Sequence, residues 1–126
     1  MPVVAAGLLV GTTARAEYIV QTIAGNGTSG CTGDGAAANL ATLGNPRGLV
    51  LDEAANKLYF ADNGCTNFRV VDLNPDVPTI DRLAGSTLAC GFADGALLDA
   101  NFAVGAHGSF SFDPIARRFY VGDTSE

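Results

Sequence analysis

The chain repeats itself, and the repeat restricts the fold more than any other feature. Ile23-Ala24-Gly25 returns as Leu83-Ala84-Gly85, and Gly33-Asp34-Gly35-Ala36 returns as Ala93-Asp94-Gly95-Ala96, both at an offset of 60 residues. Gly48 returns as Gly108 at the same offset. One inserted residue then moves the offset to 61, where Asp52 matches Asp113 and Leu58-Tyr59-Phe60-Ala61-Asp62 matches Phe119-Tyr120-Val121-Gly122-Asp123. Motifs kept in one order at one spacing mark a repeat architecture, in which each unit buries its apolar face against a neighbouring unit.

Within the repeat the apolar runs are short and bounded by turn residues. Leu49-Val50-Leu51 suits a strand buried on both faces. Lys57–Ala61 has the aromatic character of a strand, and Asp62-Asn63-Gly64 follows as a turn. Phe68-Arg69-Val70-Val71 predicts a third strand and Thr79–Ala84 a fourth. Between them, Asn74-Pro75-Asp76-Val77-Pro78 breaks the ladder, because proline has no amide hydrogen to donate. The second copy supplies two strands, near Ser109–Phe112 and Arg118–Gly122. Glu17–Ala24 occupies the fourth-strand position of an earlier unit. Ala36–Leu43 is alanine-rich and predicts no more than one helical turn. Four short antiparallel strands with tight turns make one propeller blade. The expected fold class is therefore all-β, an incomplete β-propeller of four-stranded antiparallel blades.

Several stretches together resemble the NHL-repeat family of β-propellers. They are Thr22-Ile23-Ala24-Gly25, Gly33-Asp34-Gly35, Asn45-Pro46-Arg47-Gly48, Leu58-Tyr59-Phe60-Ala61-Asp62-Asn63 and Phe68-Arg69-Val70-Val71-Asp72. The resemblance covers about residues 17 to 126. It implies an outer strand at 17–24, a full blade at about 45–85 and a half blade at about 105–126. The second copy departs from the pattern: Gly105-Ala106-His107-Gly108 replaces Asn45-Pro46-Arg47-Gly48, and Gly122 replaces Ala61. The family pattern continues into a third strand beyond Asp123. The expectation is therefore a fragment completed by blades of a longer parent chain, or by self-association.

Composition narrows the function. The chain has 126 residues and 48% hydrophobic side chains, which excludes disorder throughout. The formal net charge of -6 argues against a nucleic-acid partner, since an acidic surface repels phosphate. No apolar run reaches the length of about 18 residues that a membrane span needs. Residues 1–16 read as a candidate secretory leader ending in Ala14-Arg15-Ala16, or as a disordered extension. The leader reading implies a secreted or extracellular protein, and only then would the sequon at Asn26-Gly27-Thr28 be usable.

The candidate functional residues are few. Asp34 and Asp94 sit in Gly-rich segments that serve as turns or, less simply, as binding loops. Asp62 and Asp123 each follow a strand, and either cap the next loop or converge on a cation, which would need further oxygen ligands. His107, the one histidine, precedes an inner strand, and Arg47 holds that place in the first copy. Cys31, Cys65 and Cys90 allow one internal disulfide. Cys31 and Cys90 occupy equivalent places on adjacent units, which argues against their pairing, whereas Cys65 lies in a different turn. With no nucleophile motif and no acid–base pair, the expectation is no catalytic, cofactor-binding or metal-binding residue. The chain then serves as a non-catalytic scaffold for an unidentified protein partner. The alternative is part of a propeller lyase or hydrolase whose remaining active-site residues lie in other blades.

Overall fold

A computed structural model describes residues 18–86, 91, 93–103 and 110–123. Two antiparallel sheets account for the strands. The first runs β1 (Ala36–Ala37), β5 (Thr79–Ala84), β4 (Asn67–Asp72), β3 (Lys57–Asp62), β2 (Pro46–Asp52) across the sheet. The second pairs β6 (Phe110–Asp113) with β7 (Arg118–Val121). From β2 to β5 the chain is a simple meander, with each strand hydrogen-bonded to the next. Two short 3₁₀ turns, Ala38–Leu40 and Asn63–Cys65, are the only helical elements among the described residues.

The expected strands fall close to the observed ones, but β2, expected to be buried on both faces, leaves Leu49 and Leu51 exposed, and two further differences stand beside it. β2 begins at Pro46, three residues before the apolar run, and its register shifts between Arg47 and Val50. Gly48 lies at φ +63°, the left-handed region in which glycine carries no Cβ penalty, and the extra residue is accommodated there as a bulge. The second difference is larger. Of the outer strand expected at 17–24, residues 18–24 belong to no ladder among the described residues. Tyr18, Ile19 and Val20 stand exposed, because a strand exists only where a second backbone accepts its hydrogen bonds. The candidate leader at 1–16 lies outside the described residues.

The period-2 alternation of the strands gives the first sheet two apolar faces. Leu58 and Phe60 on β3, Val71 on β4 and Ile80 on β5 share one face. The segment running from Ala24 through Ala38 and Ala41 to Leu43 covers it. Ala61, Phe68 and Ala84 share the other, covered by Phe102, Phe110 and Val121. Tyr59 joins this second face and meets Phe119 at 4.7 Å and Phe112 at 5.9 Å between ring centroids. Phe68 touches Phe102 edge-on at 5.1 Å and Phe110 at 5.3 Å, and Phe110 and Phe112 each stack on Phe119. These six rings form the seam between the two sheets.

The second sheet turns toward that seam the face that corresponds to the loop-covered face of the first. Phe112 and Phe119 are opposite one another in β6–β7, as Leu51 and Leu58 are in β2–β3. Tyr120 corresponds to Tyr59, yet Tyr59 is 6% exposed in the seam and Tyr120 is 56% exposed on the far side. At the opposite end of the stack, Leu49 and Leu51 are exposed as well.

The loop before each repeat is also duplicated, with a one-residue shift. The Gly25 and Asn26 amides donate to the carbonyls of Ala38 and Ala41; the Gly85 and Ser86 amides donate to those of Leu97 and Ala100. Ala41 is thus equivalent to Ala100, and both are buried.

Candidate functional site: a buried arginine and its carboxylates

Arg69 is the largest fully buried side chain among the described residues, 1% exposed and flanked in β4 by Phe68 and Val70. The register places it opposite Phe60, on the face covered by the 24–43 segment. Its guanidinium uses the full donor fork that makes arginine suited to buried sites. Nε and Nη2 donate to Asp34 Oδ1 at 3.1 and 2.8 Å. Nη1 donates to the carbonyl of Thr42 at 2.7 Å, and Nη2 to that of Thr32 at 3.2 Å. Asp62 Oδ2 lies 3.5 Å from Nη1.

Asp62 ends β3 and is completely buried. Besides the arginine, its carboxylate accepts the amides of Gly44, at 2.9 and 3.1 Å, and Asn45, at 2.7 Å. The carboxylate therefore caps the loop that leads into β2. Gly44 allows the approach: a Cβ there would lie 2.9 Å from Gly64 Cα and 3.0 Å from Asp62 Oδ1. Beside this contact, a disulfide joins Cys31 to Cys65 with Cα atoms 5.5 Å apart. It fastens the interrepeat loop to the turn after β3. Cys90 lies outside the described residues.

A second ion pair sits at the other end of the first sheet. Asp52, buried at the end of β2, accepts a 2.6 Å bond from Arg117 Nη1 in the turn between β6 and β7. The Arg117 guanidinium also stands over the Phe112 ring at 5.1 Å. Burial pushes the Asp52 carboxyl upward, but the Ala55 amide and the Arg117 guanidinium outweigh it and hold the group below the usual carboxylate range. Asp72 is also held low, chiefly by the amide and side chain of Asn74, with Lys57 contributing less. The Tyr59 hydroxyl is pushed up by burial and by the nearby Asp52 charge.

The structure therefore separates the sequence candidates. Asp34 is more than a turn residue: its carboxylate reaches a guanidinium 35 positions away, and the flanking Gly33 and Gly35 at φ +101° and +81° shape the loop that carries it. Asp62 is a cap and counter-ion. Asp123 and Asp94 line a different cavity, with Asn101 and Phe102. Arg47 pairs with Ala61 across the β2–β3 ladder, and His107 is outside the described residues. In the sequon, the Asn26 amide nitrogen donates to the Leu40 carbonyl and its Oδ1 accepts the Thr28 amide. Among the described residues no group of three or more His, Cys, Asp or Glu side chains is arranged to hold a metal ion. No helix among them is long and apolar enough to cross a membrane. Arg69 escaped the sequence reading, although one charged residue between Phe68 and Val70 was the signal for it.

Compared with known proteins, the chain matches no family model, no curated protein and no solved structure.

Proposed function

We propose that the chain is a stretch of NHL-type β-propeller that works as a non-catalytic scaffold for a protein partner. The observation that carries this reading is the way the sheets stack. Each repeat turns the same face toward what precedes it, and an apolar surface is left at each end, Leu49 and Leu51 on one side and Tyr120 on the other. Exposed apolar side chains at the ends of a stack of sheets offer another polypeptide a surface to pack on. The carboxylate geometry supports the same reading: Asp62 is bound to the Gly44 and Asn45 amides, and Asp34 to Arg69, which suits loop anchoring rather than turnover. The Cys31–Cys65 disulfide supports placement in an oxidising, extracellular-type compartment.

The test is capture from an extract of the native source with the purified chain as bait, beside the double variant Leu49→Asp/Leu51→Asp. The expected result is a reproducible partner that the double variant loses while its circular dichroism stays unchanged. Capture of the same proteins by both baits, or of none by either, overturns the reading.

A further inference from the structure

Asn26-Gly27-Thr28 is the one Asn-x-Ser/Thr triplet in the 126 residues, and nothing in a scaffold role calls for it. Such a triplet accepts an asparagine-linked glycan when its middle residue is not proline. All three residues are exposed, in the loop that leads to the 3₁₀ turn at Ala38–Leu40. The Asn26 carboxamide is held at the surface: Oδ1 accepts the Thr28 amide at 2.9 Å, and Nδ2 donates to the Leu40 carbonyl at 3.2 Å. Gly27 turns the chain between them at φ +85°, and a Cβ placed there would meet nothing within 4 Å. An amide nitrogen that takes a sugar keeps one of its two hydrogens, so one donor remains for the Leu40 carbonyl. The second repeat shows the same loop with a preceding unit in place. The paired amide bonds set Ser86 where Asn26 stands and Asp99 where Leu40 stands. Ser86 is half-buried and Asp99 exposed, even with the turn after β3 alongside, where the Thr66 hydroxyl donates to the Ser86 carbonyl at 3.4 Å. The loop surface beside the triplet therefore stays open to solvent when a unit precedes it. A separate observation places the chain near the sugar donor. Cys31, in the same loop, is joined to Cys65, and disulfides persist in the oxidising compartments of the secretory route, where such glycans are added.

We propose that Asn26 is an asparagine-linked glycosylation site. The donor is an oligosaccharide carried on a polyisoprenyl pyrophosphate. Asn26 Nδ2 attacks the anomeric carbon of the first sugar and forms a C–N bond. The bond from that carbon to the pyrophosphate oxygen breaks, and the lipid pyrophosphate leaves with the electron pair. Nδ2 gives up one proton, so the step needs no oxidant or reductant. Both ends of the carboxamide are engaged once the loop has closed, so the transfer precedes that closure. The glycan stands beside Leu40, which is 69% exposed where the second repeat carries the charged Asp99, and shields it. The inference rests on the placement in an oxidising, extracellular-type compartment and is independent of any protein partner.

The test uses the chain isolated from its native source. Free thiols are alkylated with one reagent, the disulfide is reduced, and the released thiols are alkylated with a second. One portion is then treated with peptide-N-glycosidase in heavy-oxygen water and another is kept in the same water without enzyme. The tryptic peptide that ends at Arg47 is read by tandem mass spectrometry. The expected result is a heavy-oxygen aspartate at position 26 in the treated portion alone, with Asn39 and Asn45 unchanged and the second reagent on Cys31 and Cys65. The untreated portion accounts for spontaneous deamidation of the Asn26-Gly27 bond. An unlabelled Asn26 overturns the site. If Cys31 and Cys65 still carry the second reagent, the compartment reading stands and glycosylation alone fails; if they carry the first, both fail. In a secreting eukaryotic host, the full chain behind a leader should run as a glycoform that the enzyme collapses. Thr28→Val should abolish that form and Thr28→Ser should keep it. The bands are read on denatured samples, so a variant that folds poorly still reports. A glycoform that persists in Thr28→Val, or is missing from the unaltered chain, overturns the assignment.

Discussion

Removing the Arg69 guanidinium leaves the Asp62 and Asp34 carboxylates facing one another with nothing between them, one of them fully buried. Breaking a buried pair from one side costs about 3–5 kcal/mol. Arg69→Met should lower unfolding stability in urea by that amount, and adding Asp34→Asn should restore part of the loss. The two equivalent aspartates should behave in opposite ways. Asp62→Asn strips charge from a carboxylate with two amides and a guanidinium and should destabilise. Asp123→Asn removes a charge that lacks a partner at Oδ1 and should leave the melting temperature unchanged or raise it. Acid should act through Asp52 and Asp72. Both are held below their unfolded value of about 3.9, so their contribution is complete above that pH and disappears as the pH falls through the lower folded values. An acid titration followed by circular dichroism should show the loss beginning below about pH 4, and earlier in Asp52→Asn/Asp72→Asn only if other carboxylates control it.

At the scale of elements, the strands were legible in the sequence because each is a short apolar run bounded by Gly, Pro, Asn or Asp. Thr79–Ala84 was bounded to the residue, since Pro78 and Gly85 mark both ends. Residues 18–24 show where local pattern stops informing. Tyr18-Ile19-Val20 has strand composition, but pairing needs a second backbone, and composition carries no information about whether one is present. The arginine cradle was illegible for a related reason. Its members come from positions 34, 42, 62 and 69, and only the fold brings them together. The Cys31–Cys65 bond follows from the same convergence; the sequence left its partner open between two cysteines. The bond closes a loop 34 residues long, for which chain-entropy arguments give roughly 3–4 kcal/mol. Cys31→Ser, or reductant, should lower the denaturant midpoint accordingly and should speed amide exchange at Gly44 and Asn45, whose bonds to Asp62 lie beside it.

Across the whole molecule, the repeat in the sequence becomes a stack in space. The first sheet lies between the 24–43 segment on one face and β6–β7 on the other, with Leu49 and Leu51 of β2 left uncovered. The second sheet has one covered face. Its strands make few contacts besides the aromatic seam and the Arg117 clasp, and Phe119 is the ring that three others meet. Phe119→Ala should therefore release β6–β7 while β2–β5 stay folded. Hydrogen exchange should report it as fast exchange of the Arg118–Val121 amides with little change in Lys57–Asp62.

The two sheets are joined in two chemically different ways. At one point, oily rings interlock; at another, the exposed guanidinium of Arg117 grips the buried Asp52 carboxylate. Dissolved salt weakens the grip of an exposed charge and leaves an oily joint untouched, or tightens it. Rising ionic strength thus shifts the burden of holding the two sheets together from the Arg117–Asp52 pair to the Tyr59–Phe119 contact.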